Sequence, residues 1–191
     1  MTYKTNTSNS IIPPHGGYRK LKSYQTAEIV FDLTRTFCEK FVYKSDKSYR
    51  TYDQMVQAAR SGKQNIAEGS QVSGTSKKTE LKLISVARGS LEELLVDYED
   101  FLRTKKLPLW GKDDAQSRAV RQLAYRSNRS YTTYKGWLRQ PESAANCLIC
   151  LIHQANFLLD QQLRSLEKDF LKSGGFTERL YHARKARKYD L

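Results

Sequence analysis

The stretch KKTELKLISVARGSLEELLVDYEDFLRTK, residues 77–105, decides the fold. Leu81, Ile84, Arg88, Leu91, Leu95, Tyr98 and Leu102 follow one another at intervals of three and four, and Leu83, Ala87, Leu94 and Phe101 widen the same stripe. At 3.6 residues per turn this spacing gathers them on one side of a long helix. Pro108 and Gly111 then stop it.

Upstream, the segment Thr51-Tyr52-Asp53-Gln54 matches a capping box. In that arrangement Thr51 covers an orphan N–H of a second helix while Gln54 reaches back. Asp53 in the first turn suits the helix dipole. Met55, Ala59, Gly62 and Ile66 form a stripe of mostly small residues that lets a neighbouring backbone come close, and Gly69 stands where a C-cap is expected. Residues 70–76 read as a turn. A first helix covers about 21–41, because Leu21, Tyr24, Ala27, Val30, Phe31, Thr34, Phe37, Cys38 and Phe41 share one face. Residues 1–17, with Pro13-Pro14 and Gly16-Gly17, read as a disordered or loosely docked tail.

Downstream, residues 112–140 are less apolar. Short helices are expected over 115–126 and 131–138, around the turn Ser127-Asn128-Arg129. Pro141 fits the first position of a further long helix, which continues to about Lys172 through Leu148, Leu151, Ile152, Ala155, Leu158, Leu159, Leu166 and Phe170. Gly174-Gly175 ends it, and a short basic helix over 177–188 follows. Four long helices joined by short turns imply an all-α fold, an antiparallel up-down four-helix bundle over residues 18–173. It carries an inserted helical segment at about 112–140 and a basic C-terminal suffix over 174–191.

The totals agree with one domain of ordinary size. Hydrophobic residues make up 39% of the 191 and charged residues 28%, so much of each helix must face water. Only 4 Pro and 10 Gly leave too little punctuation for an all-β chain. The net charge of +13 exceeds the roughly 2–8 that solubility asks of a small domain. A polyanionic partner is the economical reading, nucleic acid ahead of an anionic membrane, with a merely solvated basic surface as the alternative. No apolar run approaches a membrane span of roughly 18 residues. Residues 1–14 lack the apolar stretch of a secretory signal. Three cysteines do not make a disulfide framework, and a reducing cytoplasm is expected.

Several groups of residues could carry function. Lys77, Lys78 and Lys82 lie near the start of the helix at 77–105, with Arg60 and Lys63 on the helix before it. Acidic residues (Glu92, Glu93, Asp97, Glu99 and Asp100) collect at its other end. This polarity opposes the helix dipole, which suggests a basic end of the bundle or compensation by neighbouring helices. Between Tyr125 and Arg139, cations alternate with aromatics: Arg126, Arg129, Tyr131, Tyr134, Lys135 and Trp137. Single-stranded nucleic acid is held by such stacking platforms beside phosphate-binding cations. Docking is the expected role of Trp137, with Arg126, Arg129 and Arg139 as phosphate contacts. Arg184, Lys185, Arg187 and Lys188 let the suffix grip phosphates, or equally make it a solvated tail, with a membrane surface the last of its alternatives. Arg88, on the apolar stripe, is expected to pair with Glu92, Glu93 or Glu68 or to reach a subunit interface, since an unpaired buried charge costs several kcal/mol or more. An internal ion pair that fixes the register comes ahead of a direct RNA role.

Cys147, Cys150 and His153 recur every third residue, and all three types can ligate zinc. Their surroundings are core-like, so they are expected to pack as core residues and not to hold metal. No phosphate-cradling Gly loop, HExxH or convincing triad is present, and no Glu-x-x-His pair of the di-iron bundles. Neither a catalytic site nor a cofactor is expected.

The segment RSGKQNIAEG, residues 60–69, resembles the second-helix signature of the four-helix-bundle family of bacterial 23S rRNA intervening-sequence proteins. The match lies in Asn65, Ile66, Ala67, Glu68 and Gly69, with Asp53-Gln54 before them. Ala87, Gly89, Ser90, Leu91, Glu92 and Glu93 resemble the pattern of its third helix. Gly62-Lys63-Gln64 departs from the family's usual Ser-Ile-Pro. The segment 112–140 and the end of the chain exceed its compact length. Phe176 to Tyr181 resembles the extension of a subgroup that carries a suffix domain. The resemblance implies a homopentameric ring with a basic central surface and RNA, ahead of DNA, as partner. Relatives serve as accessory proteins of diversity-generating retroelements, which implies an adaptor of a reverse transcriptase as the alternative role.

Overall fold

The apolar stripe of residues 77–105 becomes one uninterrupted helix, and its ends explain its length. The computed structural model describes residues 12–43 and 49–188, the side chains of 173 and 186–188 excepted. Helix α3 spans Lys77–Thr104. Its N-cap is Ser76, whose Oγ accepts from the Thr79 N–H at 3.2 Å and satisfies one of the first-turn donors. At the other end the Lys106 N–H donates to Arg103 O at 3.1 Å and the Leu107 N–H to Leu102 O at 2.9 Å. This pair of bonds is a Schellman closure. Its left-handed position is filled by Lys106, at φ 55°. The chain has therefore turned before it reaches Pro108.

Helix α1 spans Lys22–Phe37 and runs on through a π-helical stretch, Cys38–Val42. Helix α2 spans Arg50–Val72, and both of its expected ends move. Tyr49 holds the cap position in a left-handed conformation, φ 58°, and the Asp53 N–H bonds its carbonyl at 2.9 Å. Thr51 thus lies inside the first turn, and the Thr51–Gln54 capping box does not mark the start. Gly69 does not end the helix either. A Cβ there would meet Ile84 Cδ1 at 3.3 Å and the Glu80 carbonyl at 3.5 Å, so this glycine serves close approach to α3. Ser73 is the C-cap, and the turn shrinks to residues 73–76.

Helix α4 spans Ala115–Leu123, and α5, Tyr131–Tyr134, leads into a 3-10 stretch, Lys135–Arg139. Both lie where short helices were expected. Helix α6 spans Pro141–Ser173 with Pro141 in its first turn, and α7 spans Phe176–Lys188 after Gly174 at φ 62°. No strand occurs among the described residues. None of their helices is long and apolar enough to cross a membrane.

The four long helices share one core. Helix α1 packs on α2 and α6, and α3 packs on the same two. Leu33, Phe37, Met55, Ile66, Ile84, Leu91, Leu94, Tyr98, Leu102, Leu148, Leu151 and Ile152 are buried within it. Tyr98 buries its ring edge-on to Phe37, 4.9 Å between centroids, and its hydroxyl donates to Thr34 Oγ1 at 2.9 Å. A buried hydroxyl without that acceptor would be costly, so the bond fixes α1 against α3.

Arg88 is a correction to its expected burial. Its side chain is 36% exposed at the edge of the stripe, where Nη1 meets Glu92 Oε2 at 2.8 Å and Nε meets Asp160 Oδ1 at 3.3 Å. Asn156 Nδ2 also donates to Glu92 Oε2, at 3.0 Å. Glu92 was among the partners expected; Asp160 belongs to α6, which no local spacing reveals.

Of the expected tail, residues 1–11 lie outside the described residues. Residues 12–17 are docked: the Gly16 N–H donates to Ser70 O at 2.9 Å, and Ile12 and His15 pack against Gly74. The suffix reaches the same turn, because Arg179 Nη2 donates to Gly74 O at 3.2 Å.

Candidate nucleic-acid interface

Residues 115–140 contain Arg118, Arg121, Arg126, Arg129, Lys135 and Arg139 and no Asp or Glu. The short elements sort these cations into inward and outward sets. Helix α4 turns Ser117 and Val120 toward α6 and leaves Arg118 exposed. Arg121 is half-buried and donates to the Lys112 carbonyl at 2.5 Å. Past the end of α4, Tyr125 is 90% exposed, and Arg126 beside it is exposed too. Arg129 turns inward, where it donates to Thr26 Oγ1 at 3.0 Å. Burial raises the pKa of the Tyr134 hydroxyl above the ordinary phenol range, and the Arg129 charge works against that rise.

The remaining aromatics of the pattern dock the insert. The Thr36 hydroxyl donates to the Tyr131 hydroxyl at 3.3 Å, Tyr134 is buried, and Trp137 meets Trp110 edge-on at 5.7 Å. Trp137 takes the docking place expected of it. Tyr125 is the aromatic of this segment left free, flanked by Arg126 and followed by the exposed Lys135 and Arg139. Arg118, on the outer side of α4, joins this surface, although no pattern of cations and rings singled it out.

The other expected cations do not converge on one end. Gly62 packs on Leu91, while Gly69 packs on Ile84 beside Glu80. Arg60 and Lys63 therefore lie further along α3 than Lys77, Lys78 and Lys82, by roughly two to four turns at about 3.6 residues per turn. Lys63 sits over the Phe31 ring, 4.3 Å from its centroid, and Lys77 pairs with Glu80 at 2.8 Å. Arg60, Lys78 and Lys82 remain exposed. Asn65 Nδ2 donates to Ser61 O at 2.9 Å, and Ser61 and Ser90 share a hydroxyl bond of 2.9 Å. Together with Glu93 these serines line a groove between α2 and α3. Glu68 and Gly89 face outward.

On α7, Arg184 and Lys185 are exposed; Arg187 and Lys188 lie on the same helix. Cys147 is buried, Cys150 half-buried and His153 exposed, so the three do not face a common point. Burial pushes the Cys38 thiol up to about 12 and the Cys147 thiol further still, which keeps both protonated and unreactive near neutrality.

No protein-family model, no curated protein and no solved structure matches this chain.

Proposed function

We propose that this protein is a non-enzymatic, cytoplasmic nucleic-acid-binding scaffold, built as an antiparallel four-helix bundle whose insert carries the contact surface. The observation that carries the proposal is Tyr125, 90% exposed beside exposed Arg126 on a segment that holds no carboxylate. A ring left in water adds little to the core, and its open face beside a cation is what stacking on a base requires. Arg118, Arg126, Lys135 and Arg139 form none of the ion pairs found among the described residues and are available to phosphates. Arg60, Lys78, Lys82, Arg184 and Lys185 extend the positive field over other faces and steer a polyanion without reading it. Single-stranded RNA is the ligand that this pairing of ring and cation fits best.

The bundle layout is supported by the packing of α1 and α3 each on α2 and α6. A homopentameric ring rests on the family resemblance, and sedimentation of the full chain tests it. An adaptor that holds a reverse transcriptase is the second reading, and exposed Phe157, Leu171 and Tyr181 favour it. Co-purification of a protein that survives nuclease would select the adaptor. Retention on a single-stranded oligonucleotide, lost on Tyr125→Ala with Arg126→Glu, would select the scaffold.

A further inference from the structure

A cleft of about 400 Å³ opens on the other side of α4, between that helix, α3 and α6. Glu99, Leu109, Trp110, Lys112, Arg121 and His153 are among the residues that line it. The cleft holds charges of both signs, yet Glu99 forms no ion pair among those found between described residues. It is exposed, with its acceptors free for a ligand. The wall is rigid: the Trp110 indole N–H donates to Glu142 Oε1 at 2.9 Å, its backbone N–H donates to Asn146 Oδ1 at 2.8 Å, and Trp137 braces the ring edge-on. A planar ring held from three directions is a preorganised stacking surface.

We propose that this cleft binds a single nucleotide whose base carries an exocyclic amino group. The phosphate would lie on Lys112 and Arg121, the base against Trp110 and Leu109, and Glu99 would accept from the amino N–H. Cytosine and adenine present such a donor and uracil does not, so a carboxylate acceptor discriminates between them. Arg121 precedes Tyr125 by one helical turn, which places the cleft next to the surface assigned above to the strand. The inference rests on that assignment and adds base selection to it.

Trp110 lines this cleft and Trp137, the other tryptophan of the chain, packs against it, so intrinsic fluorescence reports occupancy of the cleft. The full chain is titrated with cytidine monophosphate, uridine monophosphate, cytidine and inorganic phosphate. Cytidine monophosphate is expected to change the emission saturably and to bind at least about fivefold tighter than uridine monophosphate. Glu99→Gln, at an exposed position, should remove that preference while phosphate-dependent binding survives. Arg121→Gln should weaken both nucleotides. Equal binding of the two monophosphates, saturation of the same signal by phosphate alone, or no saturable change would each overturn the proposal. If nucleotides fail but an oligonucleotide still binds in a Tyr125-dependent way, the cleft falls and the surface stands. If the oligonucleotide also fails, the surface reading falls with it.

Discussion

At Gly62 the sequence sets how close α2 comes to α3. A Cβ there would sit 2.7 Å from Leu91 Cδ2 and 2.8 Å from Leu91 Cγ, and Leu91 is fully buried. Alanine normally helps a helix interior by about 0.5–1 kcal/mol relative to glycine. Here the overpacking cost of about 1–3 kcal/mol wins. Gly62→Ala is therefore expected to lower the chemical-denaturation midpoint, where an open site such as Gly89, with nothing within 4 Å of its Cβ position, should tolerate alanine or gain from it. Buried thiols add a pH dependence. The folded state holds Cys38 protonated up to about 12, whereas in the unfolded chain the thiol ionises in its ordinary range. Stability is fully present below that range and falls as pH rises from it toward 12. Cys38→Ala should show a shallower alkaline fall in denaturant titrations from neutral pH upward.

The two ends of α3 show what a local pattern does and does not encode. Ser76→Ala removes an N-cap and should cost about 1 kcal/mol in urea unfolding. Lys106 occupies the left-handed residue of the Schellman closure, φ 55°, a place that glycine fills without a Cβ penalty. Lys106→Gly is expected to raise stability by about 0.5 kcal/mol, the relief of strain exceeding the extra freedom of the unfolded chain. Periodicity made the four long helices legible, because each repeats the same choice over many residues. The ends of α2 were not legible. Thr51 and Gly69 each belong to a real capping vocabulary, but a glycine needed for close packing at Ile84 looks the same in sequence as one that ends a helix. Arg88 misled for a related reason: spacing places it beside the core stripe without saying that Asp160, seventy residues on, draws it to the rim. With its side chain and both partners more than a third exposed, Arg88→Ala should cost only about 1 kcal/mol or less.

Across the whole molecule, charge is spread widely, whereas the proposed contact surface is confined to one segment. The +13 net charge draws any polyanion, and that attraction screens over about 8–10 Å at moderate salt. What would localise the proposed contact is the insert, where docking consumes Tyr131, Tyr134 and Trp137 and leaves Tyr125 in solvent. The alternation of rings and cations was visible in the sequence; which ring stays free depends on the packing of α4 and α5 against α1 and α6, and was not. The most direct test is anisotropy of a labelled single-stranded RNA titrated with the full chain at several salt concentrations. Binding should weaken steeply with salt, by a log–log slope of about 0.7 for each phosphate neutralised. Tyr125→Ala should lose about 1–3 kcal/mol of affinity at every salt concentration. Arg126→Ala should reduce the slope. Binding that ignores salt, or that Tyr125→Ala leaves unchanged, would contradict it.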